Sequence, residues 1–100
     1  MKLLTKAIEK QLPPLYTTDG DADAMVIVKF FTPWANWTWY ATEYDGEDKF
    51  FGYVVGMESE LGYFSLAELK GVKGPFRMKI ERDRLWSPVP LSEVKSGSVR

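Results

Sequence analysis

Two stretches in which side chains alternate in character constrain this chain more than any other feature. Residues 37–44 place Trp37 and Trp39 on one side of an extended strand and Tyr40 and Tyr44 on the other, which is the period of two that a β-strand requires. Residues 49–55 repeat the alternation, and turn-forming residues separate the two stretches. The sequence therefore predicts a β-hairpin, and with it an antiparallel sheet.

The same reasoning assigns the other elements. Thr5 has the position of an N-cap for a short helix that Pro13 prevents from continuing, and Ser65 with Glu68 has capping-box spacing. Further strands are predicted at 25–32, 61–65 and 76–81, helices at 6–11 and 66–70, and a last turn at 92–95. We therefore expect an α+β fold, an antiparallel meander of about four to five strands with a short N-terminal helix and a second short helix packed on it. Its 100 residues form a single domain, 1–100.

The absence of two residue types restricts the chemistry. The chain has no cysteine and no histidine, which excludes disulfides, thiolate nucleophiles, Ser-His catalysis and the metal sites that depend on those ligands. We expect no cofactor, and the residues present favour a non-catalytic protein over an enzyme. Residues 1–14 contain one Leu-Leu pair among charges, and no stretch approaches the roughly 20 apolar residues of a spanning helix. We expect a cytoplasmic protein without membrane contact.

Charge is unevenly distributed along the chain. Residues 11–68 carry ten acids against two bases, and residues 69–100 carry eight bases against three acids. Arg77, Lys79, Arg82 and Arg84 fall in or just after the predicted strand 76–81, where one basic face could contact phosphates or an acidic partner. The acidic turn formed by residues 43–48 is typical of a solvated surface, although dense carboxylates can also imitate a DNA backbone.

The densest chemical feature is aromatic. Six aromatic residues lie within residues 30–40, and aromatic faces can stack on unpaired bases or anchor a protein interface. We expect Trp37 and Trp39 in the core, because they share the apolar face of their strand. Trp34 follows a proline before that strand and is the candidate exposed anchor, with Asn36 in the bend and Tyr40 beside it. The candidate binding residues are Trp34, Asn36, Tyr40, Asp45, Glu47, Asp48, Arg77, Lys79, Arg82 and Arg84.

Two acidic patterns resemble metal sites. Asp19, Asp21 and Asp23 alternate as at the start of a calcium loop, but Ala24 replaces the required glycine and Phe30 the bidentate glutamate. A solvated acidic loop is the favoured interpretation, and we expect no metal.

The second pattern is Glu47-x-Lys49, with Asp45 and Asp48 beside it, which has the spacing used by magnesium-dependent nucleases. The same Glu-x-Lys spacing occurs twice more in the chain, about as often as chance predicts.

Several motifs together resemble a DUF-type family of small uncharacterised bacterial proteins met on plasmids, phages and integrative elements. They lie at residues 12–16, 28–40, 50–56, 60–69, 74–76 and 80–83. The resemblance implies a bacterial or phage cytoplasmic setting linked to mobile DNA, and it brings no reaction, cofactor or catalytic residue.

These observations favour a small non-catalytic binding protein of a mobile genetic element, acting by contact with a host or element-encoded protein; an antagonist of host defence would suit that setting. One alternative is binding of single-stranded nucleic acid by Trp34, Tyr40, Arg77, Lys79 and Arg82. A further alternative is a magnesium-dependent nuclease. Oligomeric state does not follow from the sequence.

Overall fold

The computed structural model describes residues 2–18 and 23–97, which form a five-stranded sheet, a two-stranded ribbon and short helices. The strands are β1 Met25–Val26, β2 Val28–Phe31, β3 Thr38–Tyr44, β4 Lys49–Val55, β5 Ser59–Ser65, β6 Glu81–Arg82 and β7 Val89–Pro90. The helices are α1 Lys6–Glu9, α2 Leu66–Gly71 and α3 Leu91–Lys95, with a tight turn at Pro75–Arg77.

The predicted α+β fold with an antiparallel sheet is confirmed. The large sheet has the order β5-β4-β3-β2-β6, and all of its pairings are antiparallel. Strands β2 to β5 form the predicted meander, whereas β6 returns to the far side and pairs with β2. β1 and β7 form the separate ribbon.

The central hairpin confirms the alternation pattern, since β4 has the predicted bounds and β3 begins one residue later than predicted. Gly46 adopts a φ of 85° in the connecting turn, a left-handed conformation that glycine adopts without steric cost. Thr5 and Ser65 both act as predicted N-caps, because their hydroxyls accept from the backbone N–H of Ile8 and Glu68.

A β-bulge alters the second half of β3. The register with β4 shifts between Ala41 and Glu43, so that Tyr44 lies on the same face of the sheet as Ala41. The prediction that Tyr44 shares a face with Tyr40 is therefore wrong, since strict alternation holds only where no extra residue is inserted.

The sheet is covered on both faces. One face carries Phe30, Ala41 and Phe50, and packs against apolar residues of the N-terminal segment and of α2. The opposite face carries Tyr40, which packs against Val26 and the C-terminal segment. The first core contains Leu3, Leu4, Leu12, Val28, Phe30, Ala41, Tyr44, Phe50, Leu66, Leu69 and Ile80, and the second contains Val26, Tyr40, Leu91 and Val94.

Two predicted strands differ from those observed. Residues 25–32 are divided at Ile27, because β1 pairs with β7 while β2 joins the large sheet. The predicted strand 76–81 is wrong, because Phe76 and Arg77 have φ values of 55° and 63°, in the left-handed region, and lie in the turn that the Met78 N–H closes on the Pro75 carbonyl. Only Glu81, its last residue, lies in a strand, β6.

Among the helices of residues 2–18 and 23–97, none has the length and apolar character needed to cross a membrane.

Candidate functional site

The segment after α2 forms a tight loop, Gly74–Lys79, that projects an aromatic side chain into solvent. The Gly74 N–H donates to the Met78 carbonyl at 2.8 Å, and the Met78 N–H donates to the Pro75 carbonyl at 3.0 Å. These bonds close the loop, and an isolated antiparallel β-bridge pairs the backbones of Lys73 and Lys79 at its base. Phe76, at the tip, is 97% exposed.

The Trp34 indole packs against Gly74, the first residue of this loop. A Cβ atom added to Gly74 would lie 2.5 Å from the Cδ2 atom of the Trp34 indole, so only glycine allows the backbone to approach the ring this closely. Trp34 is half-buried and packs against the first core. It is thus a positioning residue for the Phe76 loop rather than the exposed anchor that we expect from the sequence.

A groove of about 710 Å³ lies beside the loop. Four cationic side chains line it, from Lys2, Lys70, Arg77 and Lys79, together with the single acid Glu81. Apolar side chains of the N-terminal segment, α2 and the 74–79 loop complete its lining. We call this site the basic groove; its chemistry suits a ligand that combines negative charge with apolar surface.

The four predicted basic residues are not brought together. Arg77 and Lys79 line the basic groove, but Arg82 donates from Nη1 to the carbonyls of Lys2 and Leu3. Arg82 therefore tethers the N-terminal segment, which brings Lys2 to the groove. Arg84 is exposed and lies at a different depression, outside the groove.

The acidic turn is held by its own hydrogen bonds. The Asp45 Oδ1 atom accepts from the N–H groups of Glu47, Asp48 and Lys49 at 2.8, 2.8 and 3.0 Å. These bonds lower the pKa of Asp45, with those from Asp48 and Glu47 contributing most.

Asp48 joins this turn to α2. Its carboxylate accepts from the Ser65 hydroxyl at 2.5 Å and from the Ala67 N–H at 2.8 Å. The Ser65 hydroxyl is the main cause that lowers the pKa of Asp48, followed by the Ala67 N–H. Both aspartates are thus explained as turn and cap residues. A nuclease centred on Glu47 and Lys49, both exposed, stays a prediction.

Glu43 lies apart from the exposed acids, although the sequence groups it with them. It is 2% exposed, and it accepts from the Tyr16 N–H at 2.8 Å and the Thr18 N–H at 2.7 Å, as well as from the Thr18 hydroxyl. Glu43 is therefore not part of the predicted cluster of surface carboxylates.

The other predicted aromatic residues occupy different places. Tyr40 is buried on the sheet face opposite Trp34, and burial raises the pKa of its phenol, with smaller contributions from Tyr53 and Asp83. Trp37, expected in the core, is 41% exposed and stacks on the half-buried Trp39, with ring centroids 6.0 Å apart.

None of the four indoles is fully buried. Trp86 is half-buried and donates from Nε1 to the Val26 carbonyl at 3.0 Å. Asn36 is exposed in the turn that Thr32 closes through hydrogen bonds with Trp37.

Phe76, Lys2 and Lys70 are not among the binding residues predicted from the sequence. The Gly74-Pro75 pair is a turn signal immediately before Phe76, but the apolar-polar alternation of residues 76–81 favours a strand. Lys2 and Lys70 reach the groove from segments distant in sequence, so no local pattern identifies them.

The calcium-loop pattern lies mostly outside the described residues, since residues 19–22 belong to the part of the chain left undescribed. Within residues 2–18 and 23–97, no group of three or more aspartates and glutamates is arranged to hold a metal ion.

Comparison with known proteins identifies a family. A family model described as a protein of unknown function (DUF2958) matches residues 2–96. No curated protein and no solved structure matches the chain.

Proposed function

The chain belongs to the DUF2958 family, whose description states no activity, and we propose from its surface that it is a non-catalytic binding protein. It acts by contact with another protein, through Phe76 and the basic groove. The observation that carries the proposal is the 97% exposure of Phe76 on a backbone of positive φ. This deepens the expectation from sequence, with Phe76 in the place of Trp34.

The conformation of the loop is unfavourable in isolation. A non-glycine residue in the left-handed region costs about 1 to 3 kcal/mol, and such residues concentrate at binding and catalytic sites. Here two adjacent residues, Phe76 and Arg77, have positive φ. Trp34 under Gly74 and the closing hydrogen bonds of the loop hold this conformation. The fold therefore supports a strained loop whose aromatic side chain touches almost nothing in the chain itself.

Covering Phe76 would contribute substantially to binding. Burial of a phenylalanine side chain stabilises by about 1.5 to 3 kcal/mol, and aromatic anchors seated in a pocket dominate many interfaces. The adjoining cations, Lys70, Arg77 and Lys79, favour a partner surface that carries carboxylates around an apolar recess.

We also propose the setting that the family resemblance implies. The protein is encoded by a mobile genetic element and acts in a bacterial cytoplasm. Its partner is a host or element-encoded protein, and antagonism of a host defence system is an activity that suits this setting. The surface of Phe76 and the basic groove supports the binding mode, and the resemblance alone supports this setting.

The proposal is tested by site-specific cross-linking in cells of the native host. A photoreactive phenylalanine analogue is placed at position 76 and, as a matched control, at position 57. Met57 is also almost fully exposed, at 94%, but lies in the β4–β5 turn. We expect one protein adduct from position 76, reduced at least about tenfold by Lys79→Ala, and none from position 57. The tenfold loss corresponds to about 1.4 kcal/mol of binding.

Cross-linking at neither position, or equally at both, would contradict a specific contact at Phe76. The variant carrying Lys79→Ala is first shown to have the thermal midpoint of the wild type, so that a lost adduct reports binding rather than unfolding.

Single-stranded nucleic acid is the second candidate, because four cations line the basic groove and Phe76 directly precedes one of them, Arg77. A titration with oligonucleotide is followed by tryptophan fluorescence, since the Trp34 indole lies against Gly74 of the loop. Phosphate binding would give quenching that weakens steeply as salt rises, and a nuclease-sensitive adduct at position 76. Absence of quenching at low salt would eliminate this candidate and leave the protein-binding proposal.

A further inference from the structure

The floor of the basic groove is aliphatic. Leu3, Leu69 and Ile80 line it and are 6%, 4% and 4% exposed, so they lie at its bottom, and the half-buried Met78 lies beside them. The three buried residues come from the N-terminal segment, α2 and the segment before β6, and all belong to the first core. The floor is therefore an apolar surface that the fold holds in place before any ligand binds.

The opening of the groove is cationic. The side chains of Lys2, Lys70, Arg77 and Lys79 are exposed, and none of their charged groups lies within 4 Å of a carboxylate of the described residues. Glu81 is the one acid in the described lining, which leaves the groove a net charge of +3 at neutral pH. Because like charges that share a site repel one another, an anion placed among them is stabilised.

The floor and the opening are joined by the side chains of the cations themselves. Lysine and arginine carry apolar stems below their charged heads, so the lining changes from aliphatic carbon at the bottom to positive charge at the opening. A ligand complementary to this order has an aliphatic body and an anionic end. The groove volume of about 710 Å³ lies within the range of about 300 to 1,000 Å³ that small-ligand sites occupy.

Other classes of anion match this lining less well. Among the described residues that line the groove, none has an aromatic ring, a hydroxyl or a side-chain amide. A nucleotide base is normally stacked on a ring and hydrogen-bonded at its edge, and inside the groove it would lie on aliphatic carbon instead. The lining therefore favours a hydrocarbon chain as the apolar part of the ligand.

We propose that the basic groove binds a free aliphatic anion, a single unbranched hydrocarbon chain that ends in a carboxylate or a phosphate. The chain lies on Leu3, Leu69 and Ile80, and the anionic end lies among the four cations. This ligand goes beyond the protein contact proposed at Phe76. It shares Arg77 and Lys79 with that surface, but its binding requires no protein partner.

The proposal is tested by an NMR titration of the purified, ¹⁵N-labelled chain with dodecanoate and with dodecyl phosphate, each below its micelle concentration. We expect saturable shifts at the amides of Leu69, Met78 and Ile80 and none in α3, which packs on the opposite face of the sheet. Octanoate should bind at least about tenfold more weakly than dodecanoate, because each fully buried methylene contributes about fourfold. Dodecyltrimethylammonium, which has the same chain and the opposite charge, should leave these amides unshifted.

Two charge reversals locate the anionic end. Lys70→Glu changes a cation of the groove, and Lys6→Glu changes an exposed cation of α1 outside the described lining. Both variants are first shown to keep the thermal midpoint of the wild type. We expect Lys70→Glu to weaken dodecanoate binding at least about tenfold and Lys6→Glu to change it less than about twofold. Lys70→Gln, which only removes the charge, should weaken binding about threefold and provides the measurement if Lys70→Glu does not fold.

The relative affinities of the two probes identify the anionic group, since tighter binding of dodecyl phosphate assigns a phosphate and the reverse order assigns a carboxylate. No saturable shift with either probe, equal shifts with the cationic probe, or equal effects of Lys70→Glu and Lys6→Glu would overturn the proposal. Shifts that appear only with vesicles of phosphatidylglycerol would also overturn it, in favour of a membrane surface. None of these results affects the protein contact at Phe76, which the cross-linking experiment tests separately.

Discussion

Among single residues, Glu43 is notable because its buried carboxylate holds a distant loop against the sheet. It lies on β3 at the bulge, and both of its oxygens accept from the segment that contains Tyr16 and Thr18. Tyr16 has a φ of 71°, so the backbone N–H groups are presented from an irregular loop. Without this carboxylate, both partly buried N–H groups would lose their hydrogen-bond partner. Glu43 thus fixes this loop against the sheet.

We predict that Glu43→Gln lowers the free energy of unfolding by about 2 kcal/mol, because a hydrogen bond to a charged group contributes about 1.5 to 3 kcal/mol. The glutamine keeps one accepting oxygen, but its amide would face an N–H donor. Urea denaturation measures the loss. Glu60→Gln, on the exposed strand β5, serves as control and should change stability by less than about 0.5 kcal/mol. Equal effects of the two substitutions would contradict the role of Glu43.

At the scale of elements, the acidic turn and α2 form one unit. Asp45 closes the β3–β4 turn through three backbone N–H groups, and Asp48 continues from that turn to the N-terminus of α2. Ser65 caps the same helix and donates to Asp48. A carboxylate near a helix N-terminus also interacts favourably with the helix dipole. These contacts connect a hairpin turn to a helix that packs under the sheet.

The lowered pKa of Asp48 predicts how the stability of the fold changes with pH. Its folded pKa lies below the ordinary value of 3.8, so its stabilising contribution is present above that pH and is lost as pH falls through the folded pKa. We expect Asp48→Asn to have a lower thermal midpoint than the wild type at pH 7, and the difference to shrink below about pH 4. Calorimetry at both pH values measures it.

The control is Glu47→Gln, which removes an exposed acid of the same turn whose side chain makes no hydrogen bond among the described residues. Its midpoint should follow that of the wild type. A difference between Asp48→Asn and wild type that is the same at pH 7 and pH 3 would show that the carboxylate charge is not responsible.

At the scale of the whole molecule, the sheet is a middle layer. The N-terminal segment and α2 cover one face, and the C-terminal segment from Trp86 through α3 covers part of the other. Leu91 and Val94 of α3 are buried against Val26 and Tyr40. The C-terminal segment therefore completes the second core, even though its own helix is only five residues long.

Two leucines six positions apart test this arrangement. Leu91→Ala should lower the free energy of unfolding by about 2 to 4 kcal/mol, since it removes a buried side chain and leaves a cavity. Leu85→Ala removes the same atoms from a side chain that is 95% exposed and should cost less than about 0.5 kcal/mol. Urea titrations compare the two. Similar losses would mean that α3 does not cover the sheet in solution.

The parts of the fold and of the site that can be predicted from the sequence are those that depend on local interactions. The hairpin and both helix caps follow from turn residues, hydroxyl caps and strand alternation, all of which act within a few residues. Arg77 and Lys79 were identified by charge alone. The uneven charge distribution and the lack of cysteine and histidine also belong to the sequence, and they restrict the chemistry before any fold is known.

Tertiary contacts decided the rest. Residues 76–81 alternate like a strand, yet Trp34, forty positions away, packs against Gly74 and helps to hold the loop that exposes Phe76. Lys2 and Lys70 reach the groove from two distant segments, and the bulge in β3 moved Tyr44 to the other face. Short-range preferences differ by only about 1 kcal/mol per residue, so the packing of large side chains from distant segments overrides them at these positions.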